Sequence, residues 1–184
     1  MKKNMPIAVL MCSFAVFFIS SQPSALMIAL STEKLTLGSE IVIRGEVEEV
    51  ESQWSEDREI IFTEVTVQIN SVIKGICLKK RIIVECIGGK VGDMGLGVSD
   101  APRLIEGEEV ILFLASERSK KGRSHGLVYN VYGAAQGKYA IGHDGFARKG
   151  GFSILKSKDA EKSIDNNLPA DELTGKIKKI DKNE

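Results

Sequence analysis

Ten residues in the first half of the chain leave little freedom in what it can become. Ile60–Ile69 reads Ile-Ile-Phe-Thr-Glu-Val-Thr-Val-Gln-Ile, with apolar side chains at 61, 65, 67 and 69 and polar ones at 64, 66 and 68. A period of two sends alternate side chains to opposite faces of a β-strand, so one face is buried and the other is wet. A single strand leaves its backbone N–H and C=O groups without partners, so neighbouring strands are required.

The flanking sequence supplies them. Ile41–Trp54 carries apolar residues at 41, 43 and 47 and then at 50 and 54. The change of parity predicts a β-bulge near Glu48-Glu49, and a long bulged first strand is what a small barrel needs to bend across two sheets. Ser55–Arg58 is the turn, the second strand runs to Ile73, and Lys74-Gly75 ends it. Arg81–Ile87 is a third strand. Glu109–Ala115 is a fourth, apolar without a break from Val110 to Leu114 and therefore central. Leu127–Tyr132 and Gln136–Ile141 are a fifth and sixth, and Phe146 opens a short last strand after the turn Gly142-His143-Asp144-Gly145.

Two helices frame the strands. Ser31 caps a short turn that Gly38 ends. Between Pro169 and Ile180, Leu173, Ile177 and Ile180 fall at i, i+4 and i+7, with Asn167 as the expected cap. The chain is thus expected to be mostly β: a small OB-like antiparallel barrel of five or six strands with a C-terminal helix. A Gly-rich loop, residues 88–107, stands where such barrels usually carry a helix between strands three and four.

The N-terminus divides the organisation further. Lys2 and Lys3 precede an uncharged run, Met5–Ile19, which has the form of a secretory signal. Leu26–Leu30 extends the uncharged stretch to a length that also spans a bilayer, so a cleaved signal and an uncleaved anchor both stand. The expected units are 1–30 as signal peptide or anchor, 31–155 as the barrel, and 156–184 as a polar linker and amphipathic helix. Either reading puts the domain outside the cytoplasm: secreted, periplasmic, or membrane-anchored and facing outward. Cys12 is no lipidation site, because Met11 before it is not small. Export would carry Cys77 and Cys86 into an oxidising space, where a disulfide between them is one expectation. A hairpin centred near Cys77 sets Cys86 opposite Gln68, which speaks against it.

Charge separates function classes. Residues 31–115 hold 9 basic and 16 acidic side chains, and residues 116–184 hold 14 and 9. The near-neutral sum argues against a dedicated nucleic-acid binder, which is usually clearly basic. The asymmetry points to two faces of opposite sign. Motifs for catalysis are missing. His125 and His143 lack further ligands at zinc spacing, and His143-Asp144 has no Gly-x-Ser-x-Gly partner. Ser31-Thr32-Glu33-Lys34 matches Ser-x-x-Lys without its companion motifs. Gly133–Tyr139 is one residue short of a phosphate loop. No cofactor or metal is read from the sequence.

Two surfaces remain as candidates. The long Gly-rich loop, with Gly88, Gly89, Gly92, Gly95, Gly97 and Pro102, is the expected partner-contacting surface, since long loops inside compact domains are more often functional. Trp54 and the basic tip Arg118, Lys120, Lys121 and Arg123 occupy the two loops that flank the ligand face of OB barrels, where an aromatic ring stacks on a base or sugar. Tyr129, Tyr132 and Tyr139 are possible helpers there.

Gly45-Glu46-Val47, Thr63-Glu64-Val65-Thr66-Val67, Val72-Ile73-Lys74-Gly75, Gly88-Gly89, Ala101-Pro102, Gly107-Glu108, Leu112-Phe113-Leu114 and Gln136-Gly137-Lys138-Tyr139 together resemble an uncharacterised bacterial secreted family. Its members have small OB-like barrels and are sometimes encoded near matrixin-type metalloproteases. The resemblance covers residues 40–141 and consists of turn and core positions. It implies the fold, transfers no catalytic residue, and suggests an inhibitor or accessory role by analogy. The expected function is an exported non-catalytic module that contacts another protein, a protease or an envelope component. The alternatives are an oligosaccharide- or nucleic-acid-binding domain and a hydrolase with an unconventional site.

Overall fold

A ring of five strands forms the centre of the molecule. The computed structural model describes residues 28–119, 126–150 and 165–183. Within them lie α1 (Thr32–Gly38), β1 (Ile41–Trp54), β2 (Ile61–Lys74), β3 (Arg81–Ile87), β4 (Gly89–Val91), β5 (Met94–Leu96), β6 (Glu109–Ser119), β7 (Gly126–Val131), β8 (Lys138–Ile141), β9 (Phe146–Arg148), β10 (Leu168–Pro169) and α2 (Ala170–Asp181). The ring runs β1-β2-β3-β7-β6 and closes through β6 onto β1. Every contact in it is antiparallel except β3 with β7, where Val84 faces Tyr129 in parallel. β8, β9 and β10 extend the sheet outward from β6, and β4 and β5 form a separate two-stranded sheet.

The alternation in β2 explains the ring's interior. Val65 and Val67 pair with Val84 and Ile82 on one side and with Val50 and Val47 on the other. They pack with Ile41, Ile43, Val110, Leu112, Leu114, Tyr129 and Val131 in one cluster. The expected bulge is present: Val47 pairs with Val67 and Glu49 with Thr66, which leaves Glu48 as the extra residue. β1 near Ile41–Ile43 and β6 from Val110 to Leu114 are buried on both faces, because a second apolar layer lies outside the ring. There Val42, Ile111, Phe113 and Tyr139 meet Leu35 of α1 and Leu173 and Ile177 of α2. The C-terminal helix therefore packs on the sheet. Its cap is Pro169 rather than Asn167, and the first amide is held by Gly145 instead of a side chain, with Ala170 N donating to Gly145 O at 2.9 Å. Arg44 ties the layers together, at 2.7 Å from Glu109 and 3.1 Å from Asp171.

The register of β2 and β3 corrects one expectation. Gln68 pairs with Arg81, and Cys86 lies opposite Thr63, not Gln68. The sequence pattern shows where strands run but not how far one slides against the next; here burial of the valine pairs sets the slide. Cys77 and Cys86 are free thiols, so the expected disulfide is absent. Cys86 sits five residues into β3, roughly 16 Å from the strand's start by strand geometry, whereas a bridge needs Cα atoms within about 7 Å.

Candidate functional site

The Gly-rich segment is built as a flap over one end of the ring. Gly88 N donates to Ile61 O at 2.8 Å, and Thr63 Oγ1 donates to Gly88 O at 2.7 Å. Ser52 and Thr63 hydroxyls lie 2.9 Å apart beside it. Gly89 has φ +138°, and a Cβ there would strike both hydroxyl oxygens, so only glycine fits where the chain turns off the sheet. β4 and β5 then form a hairpin through Gly92-Asp93, with Gly92 at φ +59°. Gly88 is buried at the root, Gly89 and Pro102 are half-buried, and Gly92, Gly95 and Gly97 are exposed.

The return path is pinned. Leu104 is buried in the ring's interior and closes this end. Ala135 N donates to Asp100 O at 2.9 Å, and Gly107 N to Val47 O at 2.8 Å. Lys138 Nζ lies 2.6 Å from Glu108 and also donates to Arg103 O. The flap itself presents apolar side chains to solvent: Ile87, Met94, Leu96 and Val98 are exposed.

This end of the ring is also acidic. Glu51, Glu64 and Glu85 are direct cross-strand partners on β1, β2 and β3, on the outer face one residue from the Ser52–Thr63 pair. Glu56, Asp57 and Glu59 are exposed in the adjoining turn. That turn is held by Ser55 N donating to Ile60 O at 2.8 Å and Glu59 N donating to Asp57 at 3.1 Å. Like charges aligned across strands disfavour the isolated sheet, and Arg58 and Lys90 are exposed at the same end.

Trp54 and the basic tip are not neighbours. Trp54 is half-buried at the far end of β1, opposite Ile61. Ile41, at the other end of β1, pairs with Leu114, and β6 runs on past it to Arg118, which pairs with Leu127. Thirteen residues of β1 correspond to roughly 40 Å along the strand, so the ladder separates the two candidates to opposite ends. Lys120, Lys121 and Arg123 lie outside the described residues, as does residue 125. Tyr129 and Tyr139 are buried.

The remaining candidates for catalysis have other roles. Asp144 holds Arg148 at 2.9 Å through one oxygen and accepts from Phe146 N at 3.2 Å. The Arg148 guanidinium keeps that carboxyl well below the usual carboxylate range, and it is a turn clasp. Among the described residues, no three His, Cys, Asp or Glu side chains are grouped to hold a metal ion. No helix there is long and apolar enough to cross a membrane.

Two buried polar groups escaped the sequence reading. Gln136 is 1% exposed in a 3-10 turn, Ala134–Gly137, where the sequence suggested a strand start. Its Oε1 accepts from Leu30 N at 2.8 Å, and its Nε2 donates to Ile28 O at 2.9 Å. Residues just before α1 are thereby clasped to the fold, and Leu30 packs on the outer core. Lys149 sits with its Nζ 4.7 Å from the centre of the Tyr139 ring. Neither has a motif around it; each is a single polar residue whose partner is distant in sequence.

No protein-family model matches the chain, and no curated protein matches it.

Proposed function

We propose that the chain is an exported, non-catalytic OB-like module that binds another protein through the acidic, flap-bearing end of its ring. The OB reading is supported by the order of closure, first-second-third-fifth-fourth ring strand, with only the third and fifth parallel. It is supported also by the bulged first strand. The observation that carries the binding reading is the β4–β5 flap: an anchored hairpin that exposes Met94 and Leu96 beside a negative surface. Anchored exposed apolar groups of this kind mark contact sites, and the flanking carboxylates select a partner whose apolar pocket has a basic rim. Carboxylates outnumber basic side chains at this end, which favours a protein over a phosphate backbone. The resemblance to a secreted family encoded near metalloproteases supports an inhibitor or accessory role for such contact.

The test is affinity capture from envelope and secreted fractions, using full-length chain and the double variant Met94→Ser, Leu96→Ser. A stoichiometric protein retained by the native chain, lost with the variant and weakened by salt supports the reading. Equal capture by both overturns the flap as the contact surface.

A further inference from the structure

The opposite end of the ring has a different chemistry. The six residues that join β2 to β3, Gly75–Lys80, form a loop whose outermost side chains are apolar: Ile76 is 82% exposed and Leu78 is 96% exposed. Between them Cys77 turns inward, half-buried against the ring's core, with its thiol 3.9 Å from Lys79 O. The alternation is that of a pinned loop, with one side chain as the anchor and its two neighbours forced outward. Lys79 and Lys80 follow, both exposed. From Lys74 to Arg81 the sequence has four basic residues and no acidic one. Lys74 is turned away to Thr36 O and Ser39 O, at 2.7 and 3.2 Å, and Arg81 is paired with Glu48. Of the carboxylates at this end, Glu40 accepts from Ser116 N at 3.1 Å, and Glu117, exposed on β6, accepts from Asn130 Nδ2. Leu127, two residues toward this end from the Val84–Tyr129 parallel pair, is also exposed.

We propose that this loop docks on an anionic lipid surface, with Ile76 and Leu78 entering the interfacial region and Lys79 and Lys80 meeting the phosphates. Several features favour a bilayer over a protein. Ile76 and Leu78 both project into solvent on either side of the core-packed Cys77, as a wedge into a soft interface does. The lysines beside them have long stems that lie along apolar surface while their ammonium groups reach headgroups. Basic residues near a negatively charged membrane surface each add attraction that salt weakens. This inference concerns the end of the ring away from the flap and does not depend on the protein-binding reading.

The test reads the tip locally, so that a hydrophobic N-terminus does not confound it. In full-length chain with Trp54→Phe, a single new tryptophan is placed by Ile76→Trp, and in a second chain by Leu96→Trp on the flap. Each is mixed with vesicles of phosphatidylcholine alone or with a third phosphatidylglycerol, both containing bromine-labelled acyl chains that quench buried tryptophan. The expected result is a blue shift and strong quenching of the residue-76 probe in anionic vesicles, with little quenching of the residue-96 probe. Adding Lys79→Gln and Lys80→Gln to the residue-76 chain is expected to weaken vesicle binding about thirtyfold, in line with the loss of two surface charges near the membrane. An unquenched residue-76 probe in anionic vesicles overturns the proposal, as does quenching of both probes alike. Equal quenching in neutral vesicles overturns the assignment to an anionic surface.

Discussion

Lys149 Nζ lies over the face of Tyr139, 4.7 Å from the ring centre, and has no hydrogen-bonding partner among the described residues. The side chain is only 9% exposed. Burial outweighs the attraction of Asp165 and lowers its pKa to about 8, while the ring face holds what charge remains. Between about pH 8 and the ordinary lysine value near 10.4, the unfolded chain carries a proton that the folded chain has released, so stability rises with pH through that window. Tyr139 sets the upper limit. Its phenol is held above its ordinary value, chiefly by burial, so above about pH 10 the unfolded chain loses that proton first and stability falls. Urea titrations from pH 7 to 11 are expected to show this maximum. Lys149→Met is expected to gain about 1–2 kcal/mol at pH 7 and to abolish the rise, because it removes a charge that burial disfavours. A rise of the same size in the variant would show that another group is responsible.

Gln136 binds both Leu30 N and Ile28 O. Gln136→Ala removes both partners and is expected to cost about 1–3 kcal/mol. Amide exchange at Leu30 gives the specific readout: protection there is expected to fall much further than in β6. Unchanged protection at Leu30 would mean that the clasp contributes nothing.

Gly89→Ala tests the root of the flap. A Cβ at φ +138° meets the Ser52 and Thr63 hydroxyls, so the flap must lift or the strands must part. The expected cost is about 1–3 kcal/mol in a denaturant titration, with partner capture reduced while far-ultraviolet circular dichroism stays unchanged. Loss of the β signal would show that the ring depends on the flap.

The two described thiols are expected to differ sharply. Burial pushes the Cys86 thiol up to about 12, and the thiolate is the reactive form. Iodoacetamide at pH 8, followed by peptide mapping, is expected to label Cys77 and spare Cys86 in the native protein. Mild oxidation is expected to leave no peptide linking the two. A Cys77–Cys86 linked peptide would contradict the ladder register.

Much of the ring was readable because burial writes a period into sequence. Ile41–Trp54 and Arg81–Ile87 match β1 and β3 residue for residue. The uninterrupted run Val110–Leu114 marked a strand covered on both sides, and β6 has β1, β7 and β8 as partners. What stayed hidden depends on relations between segments. The slide of β3 on β2 is not legible in the sequence because the loop between them is long on one side: β2 continues to Lys74 against β1 after its pairing with β3 has ended at Gln68. Residues 88–107 read as a Gly-rich loop because strands of three residues are too short to display a period. Met94 and Leu96 are apolar on an exposed strand, and that exposure is a property of the fold. The exposure of Ile76 and Leu78 is likewise a property of the fold and carries no sequence period.

Ring closure has a consequence in time. Ile41 pairs with Leu114, and Val84 with Tyr129, so a chain made from its N-terminus has β1, β2 and β3 in hand long before either closing strand exists. During that interval the three-stranded meander has two apolar edges with open hydrogen-bonding groups, and such edges recruit other chains. Contacts this distant in sequence also slow folding. The arrival of β6, which covers one edge and carries β7 to the other, is therefore the event that ends the chain's exposure to aggregation.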